Sequence, residues 1–182
     1  MTPVFVYSSY PSAELFINGK SMGKQSKNNS SSTNKYRLMW KDVKYMPGML
    51  KVVAYDEGGK AVAEETVSTA GKPDHIQLVA DRAVLVADGK DLSYITAKIV
   101  DKAGNLCPDA EQQLNFKVTG AGIYKVVANG DATNLESFEQ PTMKAFKGML
   151  VVTVGSSAEA GKINLRVAGK NLKSATLTLT SN

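Results

Sequence analysis

Three carboxylic acids lie close together in an irregular stretch of the sequence, "NGDATNLESFEQPTMKAFKG" at residues 129–148. Asp131, Glu136 and Glu139 fall within nine residues, among hydroxyl and amide side chains. Oxygen ligands on a loop suit Ca²⁺, and two carboxylates held at a fixed separation across a cleft hydrolyse glycosidic bonds. The three acids follow no recognised calcium-ligand register, and they are candidates for catalysis only because they are neighbours in sequence. A metal site or a catalytic pair is therefore the less favoured interpretation of this stretch.

The favoured interpretation of residues 129–148 is an ordered structural loop. Asn-Gly-Asp sequences form turns through side-chain-to-backbone hydrogen bonds, so we expect a turn at its start. Aromatic and apolar residues further along would pack the loop onto the rest of the fold. The predicted structural residues are Asn129, Gly130, Asp131, Phe138 and Phe146, together with Pro141 and Met149.

Aromatic side chains are the second candidate chemistry, because the faces of sugar rings stack on Trp and Tyr. Trp40 is the single tryptophan, and Tyr36 and Tyr45 lie near it in sequence. Tyr36, Leu38 and Trp40 occupy one face of a predicted strand, which favours a core position for Trp40. Trp40 and Tyr45 remain the candidate carbohydrate contacts.

The inventory of reactive residues does not support other catalytic chemistry. His75 is the only histidine and has no partner at ligand spacing, which argues against a zinc site and a catalytic triad. Cys107 is the only cysteine and is expected to be unpaired and buried. No glycine-rich phosphate loop follows a strand and opens a helix. We therefore predict no catalytic residue, no cofactor and no metal in this chain.

Charge and hydropathy exclude two further classes of partner. The 22 basic and 17 acidic residues give a net charge of +5, but they are scattered and form no basic stripe, so no nucleic-acid partner is predicted. No run of about 18 apolar residues occurs, so no membrane insertion is predicted.

Alternation of apolar and polar residues dominates the chain. In "KINLRVAG" the residues Ile163, Leu165 and Val167 share one face, and "SATLTLTS" places Leu177 and Leu179 in the same way. A period of two with one polar face is typical of an antiparallel sheet packed on a core from one side. Turn signals such as Asn-Gly and Asp-Gly separate these segments at spacings of about ten residues. The pattern predicts an all-β protein made of antiparallel β-sandwiches.

The sequence also suggests where this β protein divides. Residues 68–75, "STAGKPDH", interrupt the alternation with small residues, a glycine and a proline. We predict a small sandwich at residues 1–70, a short linker at residues 71–73, and a second sandwich at residues 74–182 that carries the long loop 129–148.

Three segments resemble a known family. They are "AELFINGKSMGK" (13–24), "YRLMWKDVKYMPGMLKVVAYDEGGKAVAEETVSTAGKP" (36–73) and "NGDATNLESFEQPTMKAFKGMLVVTV" (129–154). Together they resemble the C-terminal accessory region of bacterial, Bacteroides-type, glycoside hydrolase family 2 β-galactosidases, and the resemblance covers nearly the whole chain. "LFINGK" alone recurs in many immunoglobulin-like repeats, so the combination carries the resemblance.

The resemblance implies two tandem immunoglobulin-like β-sandwiches that accompany a catalytic TIM barrel. The catalytic glutamates of the family lie on that barrel, and no part of this chain corresponds to it. The implied partners are the barrel and the other domains of a parent enzyme, and the implied location is the periplasm or cell envelope.

Three functions remain open at this point. The first is a non-catalytic accessory or structural C-terminal fragment of a β-galactosidase-like glycoside hydrolase. The second is a pair of carbohydrate-binding modules that use the aromatic residues or the loop 129–148. The third is a pair of adhesin-like cell-surface immunoglobulin-like modules. None of them makes this segment itself an enzyme.

Overall fold

The computed structural model describes residues 1–182 and contains strands but no α-helix. The chain forms two compact units, Met1–Thr69 (unit 1) and Ala70–Asn182 (unit 2). No helix has the length and hydrophobicity that a membrane-spanning segment requires.

Unit 1 contains six strands, and a two-residue turn joins the second to the third. Asn18 and Gly19 both have positive φ at the turn between the second and third strands, as a tight hairpin requires. The strands are β1 (Val4–Tyr7), β2 (Ser12–Ile17), β3 (Lys20–Ser26), β4 (Arg37–Trp40), β5 (Met49–Tyr55) and β6 (Ala61–Ser68).

Two antiparallel sheets build unit 1. One has the strand order β3-β2-β5-β6, and the other consists of β1 and β4 alone. Buried side chains from both sheets form one core, which includes Leu15 on β2, Trp40 on β4 and Val52 on β5. A four-stranded sheet is thus opposed by only two strands, and every residue of the edge strand β6 except Ser68 is exposed.

Unit 2 contains nine strands. They are β7 (His75–Ala80), β8 (Val84–Leu85), β9 (Leu92–Val100), β10 (Gln113–Gly120), β11 (Gly122–Ala128), β12 (Thr142–Lys144), β13 (Met149–Ser156), β14 (Gly161–Gly169) and β15 (Ala175–Ser181).

Two sheets of similar size face each other in unit 2. One has the order β11-β13-β9-β7 and the other β12-β10-β14-β15-β8. All neighbours are antiparallel except β8, which runs parallel to the last strand, β15. Apart from the added edge strand β12, this is the strand arrangement of an immunoglobulin-like sandwich. The prediction of an all-β fold of antiparallel sandwiches is confirmed.

The alternation read from the sequence forms the core of unit 2. Ile163, Leu165 and Val167 are fully buried, and Ile163 and Leu165 lie opposite Leu179 and Leu177 on β15. The opposite sheet contributes buried residues from β9 and β13. Because both sheets cover each other along most of their length, the apolar face of each is removed from water.

The first residues of unit 2 are fixed by a buried carboxylate. Asp101 accepts a 2.7 Å hydrogen bond from the Gly71 N–H and further bonds from the Ala103 and Asn105 N–H groups, both 2.9 Å, and from Asn105 Nδ2, 3.1 Å. The Gly71 N–H and then the Asn105 side chain lower the Asp101 pKa to about 2. Gly71, inside the predicted linker, is therefore held by a side chain of unit 2.

Candidate functional site

The long segment 129–148 connects β11 to β13 and contains one strand that the alternation pattern did not predict. Strand β12 pairs with β10, with Met143 opposite Leu114. Met143 is fully buried and Ala145 is 3% exposed. The segment is thus attached to the sandwich through β12, which residues 129–141 precede and residues 145–148 follow.

The loop begins with the predicted turn. The Asp131 N–H donates to Asn129 Oδ1 over 3.0 Å, and Gly130 has a φ of +77°, which favours glycine. Asn129 Nδ2 donates to the Lys144 carbonyl over 2.9 Å, which ties the turn to β12. The Asp131 carboxylate accepts from the Thr133 N–H and hydroxyl, and these bonds lower its pKa. All three turn residues therefore serve the local backbone.

The middle of the loop is held mainly through its backbone. The Phe138 carbonyl accepts from the Val127 N–H over 2.9 Å. Tyr124 Oη lies 3.1 Å from that carbonyl and 2.7 Å from the Gln140 carbonyl, so its single proton is shared between the two. Burial raises the pKa of Tyr124. Phe138 is 52% exposed, and its main-chain carbonyl makes the hydrogen bonds observed here; anchoring by its side chain stays a prediction.

The loop ends in a tight turn next to Phe146, which is half-buried. Phe146 and Met149 exchange two backbone hydrogen bonds, of 3.1 and 3.0 Å. Lys147 and Gly148 between them both have positive φ. The Gly148 N–H donates to the Ala110 carbonyl, and the Gly148 carbonyl accepts from Ile99, so the turn is bonded to the sandwich.

The three acids of the loop do not converge on one point. Asp131 is engaged by Thr133, whereas Glu136 accepts a 3.1 Å bond from the Lys144 N–H. Glu139 is exposed, and its N–H bonds to Ser137 Oγ. Nowhere in the chain do three or more His, Cys, Asp or Glu side chains form a group that could hold a metal ion. Asp131 and Glu136 therefore bond to different backbone groups, and the three acids share no ligand position.

The aromatic candidates have different environments. Trp40 is 5% exposed, and its Nε1–H donates to the Gly23 carbonyl over 2.9 Å. Tyr45 is 64% exposed, and its hydroxyl lies 3.1 Å from Thr69 Oγ1. Trp40 contributes to the lining of a depression of about 460 Å³, together with Met22 and Met39. The buried, hydrogen-bonded indole favours a core role for Trp40. Tyr45 and Tyr36 are both exposed, Tyr36 to 63%, so Tyr36 does not share the buried position of Trp40 that the alternation predicts.

Sequence reasoning missed a polar depression on unit 1. It has a volume of about 610 Å³ and is lined by charged side chains from several segments. Lys24 Nζ lies 4.2 Å from the centre of the Tyr55 ring, and Tyr55 Oη donates to Glu14 over 3.1 Å. No spacing in the sequence identifies this surface, because its residues come from distant turns. The main charged lining residues are Lys24, Lys27, Lys35, Asp56 and Glu57.

The single histidine and the single cysteine lie apart in unit 2. His75 Nδ1 is 3.1 Å from the Asp74 carboxylate, which also binds Lys173 Nζ at 2.9 Å. Cys107 is 4% exposed, and burial, with the charge of Asp101, raises the pKa of its thiol. A thiol of raised pKa is a poor nucleophile, and no hydrogen bond joins the His75 ring to a serine, threonine or cysteine side chain.

Comparison with protein families gives two matches that together cover most of the chain. Residues 76–178 match "Glycoside hydrolase family 2 C-terminal domain 5". Residues 1–63 match a domain of unknown function, DUF4982. The first match alone covers more than half of the sequence.

The chain matches one segment in each of several much longer glycosidases. A β-galactosidase of Bacteroides ovatus is 40% identical over 175 residues, which are 96% of this chain and 20% of that protein. A solved family 2 glycosyl hydrolase of Bacteroides cellulosilyticus is 37% identical with a TM-score of 0.86, over 99% of this chain and 23% of its own. A β-glycosidase structure from Bacteroides vulgatus is 30% identical with a TM-score of 0.90, over 98% and 22%. This chain therefore spans about a fifth of the length of these relatives.

Proposed function

This chain belongs to glycoside hydrolase family 2 through its C-terminal domain, and we propose that it is a non-catalytic accessory region of a β-galactosidase-like enzyme. The observation that carries the proposal is that almost the whole chain superposes on about a fifth of solved family 2 glycosidases. Its work is then architectural: it extends, stabilises or orients the catalytic part.

The geometry of the loop acids supports this proposal. Glycoside hydrolysis requires two carboxyl groups about 5–10 Å apart that face one sugar ring. Asp131 and Glu136 instead accept hydrogen bonds from backbone N–H groups of their own segment. These hydrogen bonds give the two carboxylates a role in holding the backbone of the segment.

The proposed partners are the catalytic barrel and the other domains of the parent enzyme. Relatives five times longer than this chain support that choice. From the sequence resemblance alone, we propose that the parent enzyme is located in the periplasm or cell envelope. Fractionation of cells that carry the full-length protein tests this, and a cytoplasmic pool would contradict it.

The direct test is hydrolysis of an aryl β-galactoside by the purified chain. We expect a rate equal to that of buffer. Asp131→Asn and Glu136→Gln serve as matched controls, because activity that either change abolishes would assign a catalytic role to the loop and overturn the proposal. Activity that both variants retain comes from a contaminant if further purification removes it. If it stays with the chain, it comes from another site and overturns the proposal.

Carbohydrate binding is the second candidate, because the Tyr45 ring is 64% exposed while its hydroxyl is fixed to Thr69. A glycan array probed with the chain, and with Tyr45→Ala, tests it. Binding that Tyr45→Ala removes would support this candidate, and a silent array would exclude it for the glycans displayed.

A further inference from the structure

Three positive side chains of unit 1 each lie over an aromatic ring and have no acidic partner. No ion pair of the chain includes any of them. The face of a ring attracts a cation, but it does not neutralise the charge as a carboxylate does. These cations are therefore held in place without being paired. The three contacts, measured to the centre of the ring, are Lys24 on Tyr55 (4.2 Å), Lys35 on Tyr36 (4.7 Å) and Arg37 on Phe5 (4.8 Å).

Arg37 has the most defined position of the three. Leu38 and Trp40 of the same strand belong to the core, so by alternation Arg37 faces outward, directly opposite Tyr7 on β1. Its Nε is shielded from solvent and has no hydrogen-bond partner in the chain. Tyr7 is 71% exposed. A planar guanidinium without an acceptor matches a carboxylate or a similar oxyanion, and an exposed ring beside it suits the face of a sugar.

Both strands lead from this pair to the polar depression of unit 1. Ser9 follows Tyr7 by two residues, and Lys35 precedes Arg37 by two. Both Ser9 and Lys35 line the depression. Two residues of chain span at most about 7 Å, so the Tyr7–Arg37 pair adjoins the depression on the surface of unit 1.

The lining of the depression suits a sugar better than an acidic peptide. Its volume of about 610 Å³ lies within the range of about 300–1,000 Å³ that is usual for small-ligand sites. Hydroxyl and amide groups, such as those of Ser26 and Asn29, line it beside Lys24, and the carboxylates of Asp56 and Glu57 can accept hydrogen bonds from sugar hydroxyls. A run of acidic side chains would instead place like charges next to these two carboxylates.

We propose that unit 1 binds an acidic polysaccharide, one whose sugar rings carry carboxylate or sulfate groups, through Lys24, Lys35 and Arg37. Arg37 binds one acidic group while the Tyr7 ring packs on that sugar, and the two lysines bind an acidic group of a sugar in the depression. This binding does not involve Tyr45, and it is independent of the accessory role proposed above because it concerns a surface of unit 1 alone.

Four probes separate the chemistry of the ligand. They are a short oligogalacturonate, which carries carboxylates, a sulfated galactan fragment, a neutral galactan fragment and an oligoglutamate peptide. Binding to the complete chain is measured by calorimetry and by NMR at about 0.15 M salt, which screens weak surface attraction. We expect at least one acidic oligosaccharide to bind at least about tenfold more tightly than the neutral fragment and the peptide, and to shift the amide signals of Tyr7, Lys35 and Arg37. The tighter of the two identifies the acidic group.

Four variants place the binding on this surface. Arg37→Gln and Lys35→Gln should each weaken it by about tenfold, because each removes a charge-assisted hydrogen bond. Tyr7→Ala should weaken it by about fivefold through loss of the ring contact. Lys44→Gln is the matched control, since it makes the same change of charge beyond the opposite end of β4 and should leave binding unchanged. Trp40 fluorescence checks that each variant is folded.

Several results would each overturn the proposal. They are no binding of either acidic oligosaccharide, equally tight binding of the neutral fragment or the peptide, full affinity in Arg37→Gln or Tyr7→Ala, and an equal loss in Lys44→Gln. Lys35 is an exposed turn residue, so Lys35→Gln decides the role of the cations if Arg37→Gln fails to fold.

Discussion

The two units of the chain differ in how completely their opposed β-sheets cover each other. In unit 2, sheets of five and four strands cover each other, and fully buried residues such as Leu165 lie between them. In unit 1, a sheet of four strands is opposed by two, and β6 stays exposed on both faces. The difference teaches that unit 2 has the burial of an independent domain, whereas unit 1 leaves part of an apolar face without cover.

The size of the two hydrophobic cores adds to this difference in packing. Unit 1 has fewer buried apolar residues than unit 2, and small domains bury a smaller fraction of their surface on folding. We therefore expect unit 1 to unfold at a lower denaturant concentration than unit 2. Trp40, the single tryptophan, lies in unit 1, so its fluorescence reports that unit alone.

The largest expected effect comes from truncating one core at a time. Leu15→Ala in unit 1 and Leu165→Ala in unit 2 each remove a fully buried side chain, and such changes destabilise by about 2–5 kcal/mol. We expect Leu15→Ala to move the Trp40 fluorescence transition to a lower denaturant concentration. Leu165→Ala should shift the later transition, which circular dichroism follows.

The two variants serve as controls for each other. If both changes shifted both transitions equally, the units would unfold as one cooperative body. The expected difference in stability between them would then be wrong.

A second pair of changes tests how unit 2 holds its long loop. Met143→Ala removes a fully buried side chain from β12 and should destabilise unit 2 by about 2–4 kcal/mol. Phe138→Ala removes a ring that is 52% exposed and whose residue is held by its carbonyl, so an effect below about 1 kcal/mol is expected. Urea unfolding followed by circular dichroism measures both. The reverse order of effects would restore the Phe138 side chain as the main anchor.

Much of the fold was predictable, because an antiparallel strand with one buried face alternates apolar and polar residues along the sequence. Ile163, Leu165 and Val167 illustrate this, since all three are fully buried as their alternation indicates. Strand β12 was not predictable, because three residues are too few to show a period. The exposure of β6 was not predictable either, since it depends on how many strands the opposing sheet contains.

The candidate site shows a similar limit. The Asn129 turn follows from local chemistry, and the structure contains its hydrogen bonds. The part played by Phe138 depends on which group meets Tyr124, and a sequence does not say whether a ring or a carbonyl makes that contact. The roles of these residues, and of Trp40 and Tyr45 toward carbohydrate, stay predictions.

A smaller change tests whether Trp40 belongs to the core of unit 1. Trp40→Phe deletes the indole N–H and leaves the Gly23 carbonyl without its 2.9 Å partner. Loss of a partly buried hydrogen bond costs about 0.5–1.5 kcal/mol, so the methyl and amide NMR signals of unit 1 should disappear at lower urea. Tyr45→Phe removes only an exposed hydroxyl contact and should change stability by less than about 0.5 kcal/mol. Equal effects of the two changes would contradict the core assignment.

The smallest expected effect is that the unfolding transitions of the two units move closer together in acid. Several carboxyl groups of unit 2 have pKa values that hydrogen bonds lower: the Lys173 ammonium at Asp74, the Lys90 N–H at Asp88, the Gly71 N–H at Asp101, Lys144 at Glu111 and the Thr133 N–H at Asp131.

A pKa that is lower in the folded state contributes stability above the unfolded pKa of about 4, and this contribution is lost as the pH falls through the folded value. For Asp101 that window extends down to about 2. We expect the circular dichroism transition of unit 2 to move to lower urea between pH 5 and pH 2 and the Trp40 transition to move less. Asp101→Asn, which does not titrate, should reduce the acid shift of unit 2. If the Trp40 transition moved further than that of unit 2, these carboxylates would not control acid stability.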